Sequence, residues 1–162
     1  MKKRIIILSI VITAAIASVI GLMFVYNKIF SKEYLPEDDE IALHIKLNTK
    51  EDIGLLVYDY RANNHISSGG TSNADKSLID HNSESIMVVF NKQELNNYSD
   101  TIDFSIQFRI IMEYVTPNYE NIYPESITKY TNPISWNAHF GESYYITIGG
   151  SEATGFTAVL GQ

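Results

Sequence analysis

Between Ile5 and Tyr26 the chain runs for 22 residues without a charged side chain. Almost all are Ile, Val, Leu, Ala, Met or Phe, with Ser9, Thr13 and Ser18 the only hydroxyls besides Tyr26. A helix rises 1.5 Å per residue, so a run of this length reaches about 33 Å, against ~30 Å of bilayer hydrocarbon. In hydrocarbon a lone segment satisfies its backbone hydrogen bonds only as a helix. Lys2, Lys3 and Arg4 precede the run, and Lys28 and Lys32 follow it, ahead of Glu33 and Glu37-Asp38-Asp39-Glu40. The basic bias at the start predicts an N-terminus inside and a C-terminus outside. The expected organisation is a cytoplasmic stub (1–4), one N-terminal transmembrane helix (5–26), a juxtamembrane linker (27–39) and an extracytoplasmic domain (40–162). The lipid bilayer is the expected partner of the helix, and the expected location is the cell membrane, single-pass.

A cleaved signal peptide shares the basic start and offers Ala15-Ile16-Ala17 as a small-x-small site. Its apolar region is normally shorter, about 7–15 residues. Cutting there would also leave a greasy new terminus from Ser18 to Tyr26, so the anchor is the preferred reading. The chain has no cysteine, which excludes a lipidated cysteine, disulfides and thiolate metal sites. A disulfide-free exported domain suits a bacterial envelope.

Charge divides the chain sharply. Residues 1–32 hold five Lys and Arg and no acid, and the remainder holds nineteen acids against seven Lys and Arg, or −12. Such a domain repels phosphate backbones, so nucleic acid is not an expected partner.

After Glu40 the hydropathy takes a period of two. Ile41, Leu43, Ile45 and Leu47 alternate with Ala42, His44 and Lys46, as a half-buried strand does. Ile53–Tyr60 is apolar on both faces, which predicts a central strand, and Ile86–Phe90 is another two-sided apolar run. From Thr101 to Val115, Ile102, Phe104, Ile106, Phe108 and Ile110 share one face; Asp103, Ser105, Gln107 and Arg109 share the other. The alternation blurs at Ile110-Ile111-Met112, where a bulge or bend is expected. Ser143–Ile148 and Phe156–Leu160 read as a hairpin around a Gly-rich loop. Weaker strands are expected near His65–Ser68 and Pro133–Asn137, with polar loops over Ser67–Ser85 and Asn118–Pro133. About seven strands without helical crossovers predict an all-β fold: an antiparallel β-sandwich of immunoglobulin-like architecture, though without that family's Cys-Trp-Cys signature.

No motif assigns chemistry. His44, His65, His81 and His139 fall at no metal-ligand spacing, so neither a metal nor a cofactor is expected. Ser126-Ile127-Thr128-Lys129 matches S-x-x-K, but its companion motifs are absent and a β-rich setting lacks the helix that the chemistry needs. Asn97-Tyr98-Ser99 is a formal glycosylation sequon. Aromatic residues are the notable excess. Tyr114, Tyr119, Tyr123, Tyr130 and Trp136 fall within 23 residues. A tyrosine ring with a polar tip suits recognition, so these five are the expected ligand-binding residues, against the alternative that they pack the core. The expected function is a membrane-anchored, non-enzymatic binding or assembly module for an envelope protein, a peptide or a glycan. The alternatives are a small envelope hydrolase using dispersed Asp, Glu and His, or a structural subunit of a membrane complex.

Overall fold

The computed structural model describes residues 16, 18–20, 22, 34–84, 86–117, 120 and 122–161. The chain divides into two compact units, Met1–Tyr34 and Leu35–Gln162. In the first, Ile16, Ser18, Val19, Ile20 and Leu22 are helical and exposed. The expected stub (1–4) and most of the expected anchor (5–26) lie outside the described residues. Among the described residues no helix is long and apolar enough to cross a membrane.

The second unit is all-β. Its strands are β1 (Glu40–Thr49), β2 (Leu55–Ala62), β3 (His65–Thr71), β4 (Ile86–Asn91), β5 (Thr101–Ile111), β6 (Thr128–Tyr130), β7 (Ile134–His139), β8 (Glu142–Ser151) and β9 (Gly155–Leu160). One sheet has the order β4-β1-β8-β9; the other runs β3-β2-β5, with β6 and β7 both paired to the far side of β5. The inward residues of both sheets meet in one core. Ile41, Leu43, Ile45, Ile146, Ile148 and Phe156 come from the first sheet, and Leu56, Ile102, Phe104, Ile106 and Phe108 from the second. Each fully buried side chain of this size stabilises the fold by roughly 1.5–3 kcal/mol. The two-sheet, sandwich-like expectation therefore holds.

The purely antiparallel expectation does not. β1 lies parallel to β8, from Ile41↔Glu142 to Thr49↔Gly150, so the first sheet is mixed. Periodicity fixes which face of a strand is buried; it carries no information on the direction of a partner a hundred residues away. Pairing of β2 with β5 runs unbroken from Ala62↔Phe104 to Leu55↔Ile111, so no bulge interrupts β5 there. The alternation blurs because both faces are covered. Ile110 enters the main core, while Ile111 joins Leu55 and Val57 in a second cluster on the outer face. Val115, Tyr123 and Ile127 from the following segment pack over that cluster. The expected bend is present at the end of that stretch, at Met112-Glu113.

Close backbone packing explains two glycines. A Cβ on Gly54 would stand 1.9 Å from the Glu113 carbonyl oxygen, so only glycine lets the chain after β5 cross the start of β2. A Cβ on Gly69 would meet the Tyr58 hydroxyl at 2.3 Å. Tyr58 and Gly69 are cross-strand partners, and the ring covers the bare backbone. This is why Gly69-Gly70 lie inside strand β3 and not in the polar loop expected from composition.

Candidate functional site

The two flanks of the sandwich end differently. On one, β9 faces the interrupted strand formed by β6 and β7. The interruption is Thr131-Asn132-Pro133. Buried Thr131 keeps the ladder intact: its N–H donates to the Phe108 carbonyl (3.0 Å), and its hydroxyl accepts from the Phe108 N–H (3.1 Å). Asn132 then reaches to the other sheet. Its Nδ2 donates to the Ala158 carbonyl (3.1 Å) and its Oδ1 accepts from the Ala158 N–H (3.0 Å). The side-chain amide thus bonds both backbone groups of Ala158 as a neighbouring strand would, and bridges the two sheets at that point of β9.

On the other flank, β3 pairs only with β2, and β4 only with β1, among the described residues. A surface groove lies between them. One hollow of about 390 Å³ has His65, Ser68 and Gly69 on one wall and Val88, Val89 and Phe90 on the other, with Tyr58, Tyr60 and Glu94 also lining it. A second, of about 370 Å³, shares His65 and continues along the β2–β3 turn to Leu95 and Asn96. Beneath the groove the aromatic rings are locked. Phe90 meets Tyr60 edge-on at 4.7 Å between centroids and Tyr58 at 6.2 Å, and Tyr60 stacks on Phe104 at 5.8 Å. Burial, then the nearby Tyr60 and Glu94, push the Tyr58 phenol above its ordinary pKa. The result is a rigid apolar floor beside two strand edges whose outer N–H and C=O groups have no strand partner.

The residues expected to bind ligand occupy different settings. Tyr114 is half-buried just after β5. Tyr123 packs over the second apolar cluster. Tyr130 ends β6 and is 58% exposed. Trp136, on β7, packs between Phe104 (5.0 Å) and Tyr144 (5.5 Å) at the margin of the core. Its Nε1 is buried and has no hydrogen-bond partner among the described residues. Tyr119 lies outside the described residues. The tyrosines of the groove, Tyr58 and Tyr60, sit on β2, where their spacing reads as core. Only the lack of a third strand beside β3 and β4 leaves them near the surface, and no local pattern signals that.

Other candidate chemistry resolves into structure. Asp59 holds Arg109 in a bidentate pair, with Nη2–Oδ1 and Nε–Oδ2 both 2.7 Å, and accepts from Ser68. Asn97 of the sequon is buried and donates to the carbonyls of Ser99 and Thr101. Ser126 sits in a 3-10 turn (Glu125–Ile127), and Lys129 pairs with Glu152 at 3.5 Å. Of the histidines, His44 stacks on Tyr145 at 4.9 Å.

His81 is the one that meets carboxylates closely. Ligand atoms of Asp52, Asp80 and His81 lie within 4.8 Å of one another, an arrangement that could hold a cation. The His81 ring and backbone N–H both bond Asp52 Oδ1, at 2.7 and 2.9 Å. These bonds hold the Asp52 carboxyl below its ordinary pKa, the ring contact contributing most.

No protein-family model, curated protein or solved structure matches the chain.

Proposed function

We propose that the chain is a membrane-tethered, extracytoplasmic binding module of a bacterial envelope. Its immunoglobulin-like two-sheet domain receives a protein partner along the flank between β3 and β4. The observation that carries the binding reading is the contrast between flanks: Asn132 bridges the two sheets on one, and on the other an aromatic groove lies open between the unpaired edges of β3 and β4. Unpaired strand edges are templates for another chain. The tether rests on the uncharged run Ile5–Tyr26 and its basic N-terminal flank.

Two measurements test the two parts. The full chain with a C-terminal tag is fractionated and exposed to external protease. A tag found in the membrane fraction and removed from outside supports the tether; a soluble or protected tag ends it. A photo-crosslinking residue is then placed at Met87 on β4 (42% exposed) or at Val159 on β9 (61% exposed). The reading requires protein adducts from position 87 in intact membranes and none from 159. Equal labelling, or none at 87, removes the flank from consideration.

A further inference from the structure

Resting on that reading of the flank, we infer that its occupant is an extended, lysine- or arginine-rich segment of another protein, which adds as a strand to the free edge of β4. Natural edge strands are protected by a charge, a proline or a bulge. From Ile86 to Phe90, β4 reads Ile-Met-Val-Val-Phe, with none of the first two. Its register with β1 is unbroken from Glu40↔Asn91 to Ile45↔Ile86, so it has no bulge either. A strand of this length is about 20 Å long. The facing edge, β3, is less inviting: its Gly69 lies under the Tyr58 ring, and its Ser68 is tied to Asp59. A strand added to β4 would lay alternate side chains on the floor of Tyr58, Tyr60 and Phe90.

Charge selects the occupant. Four of the seven Lys and Arg after residue 32 are already paired with acids (Lys46–Glu84, Lys92–Asp100, Arg109–Asp59 and Lys129–Glu152). The domain as a whole carries −12, and the carboxylate that lines the groove is Glu94. A second copy of this domain would bring the same −12 to the contact and be repelled. A cationic strand is attracted, places a Lys or Arg beside Glu94, and offers cations to aromatic faces.

The test uses the full chain in neutral detergent and a dye-labelled Lys-Val-Lys-Val-Lys-Val-Lys peptide followed by fluorescence anisotropy. The Glu-for-Lys analogue is expected to bind at least tenfold more weakly. An analogue N-methylated at alternate peptide nitrogens keeps its charge but loses its ladder, and is also expected to lose at least tenfold. Glu94→Lys should cost more than tenfold, whereas Glu125→Lys, the same charge change on the exposed 3-10 turn, should cost less than threefold. No binding of the lysine peptide overturns the inference. So does equal binding of the N-methylated peptide, which would mean ionic attraction alone, or an equal loss from Glu125→Lys. None of these results bears on the tether or on the crosslinks from position 87, so the inference can fail while the broader reading stands.

Discussion

Replacing Asn132 with Ala would remove the bridge between the two sheets at Ala158. Two hydrogen bonds disappear, at 3.1 and 3.0 Å, and both belong to the peptide groups of Ala158, a residue only 2% exposed. A buried polar group left without a partner costs about 1–3 kcal/mol. Asn132 itself is exposed, so water can enter the vacated space and recover part of that cost. The expected net loss is therefore about 1–3 kcal/mol for the pair of bonds, not twice that. Urea unfolding measures it directly, because the single tryptophan, Trp136, is packed against Phe104 and Tyr144 and reports on the core. Asn132→Asp keeps the acceptor for the Ala158 N–H but sets a carboxylate against its carbonyl, so it should be no more stable than the Ala variant. An unchanged unfolding midpoint would refute the bridging role of Asn132.

Gly54→Ala forces a Cβ to within 1.9 Å of backbone oxygen on Glu113, where no side chain can swing aside; it should destabilise by at least the 1–3 kcal/mol typical of overpacking, read as a lowered urea midpoint. Phe104→Ala removes a ring that touches Tyr60, Phe90 and Trp136 and should cost about 3–5 kcal/mol, with loss of the Trp136 fluorescence signature. The Asp52 carboxyl is held below its ordinary pKa by His81. Its contribution is therefore present above the unfolded carboxylate value, near ~4, and is lost as pH falls through the lower folded value. Asp52→Asn should lower stability at neutral pH, leave it unchanged at the acid extreme, and so flatten the acid limb of the stability–pH curve; an unaltered acid limb would show that the contact does nothing for the fold.

Much of the strand content could be read from period-two hydropathy, because one face of each strand meets the shared core. β1, β8 and β9 follow their apolar alternation, the two-sided run Ile86–Phe90 forms β4 at a sheet edge, and even the weak signals at His65 and Pro133 mark β3 and β7. The two-sided run at Leu55–Tyr60 also proved informative: Leu56, Tyr58 and Tyr60 turn inward, while Leu55 and Val57 are covered from outside. What covers them could not be read, since Val115, Tyr123 and Ile127 carry no periodic pattern of their own. The same holds for the site. Tyr114, Tyr123 and Tyr130 stand out by their closeness along the chain, whereas Tyr58, His65, Phe90 and Glu94 are brought to one groove only by the sheet order. A strand edge is a property of what fails to pair beside it, and that is settled by contacts distant in sequence. Asn132 is the extreme case: one polar residue after a three-residue strand, indistinguishable from any loop asparagine until its two bonds to Ala158 are seen.

The parallel pairing of β1 with β8 has a consequence for how such a chain reaches its folded state. Ile41 and Glu142 are partners although 101 positions separate them. Closing so long a loop is entropically costly and slow compared with forming a hairpin. β1 emerges first from the ribosome, and β4 can pair with one side of it early. Its other side must wait until nearly the whole domain has been made. Until then β1 is itself an unpaired edge of Ile, Leu and Ala, open to pairing with another strand. A chain cut short before Glu142 would be held in that state permanently, and a strand-capturing chaperone of the compartment could recognise it there.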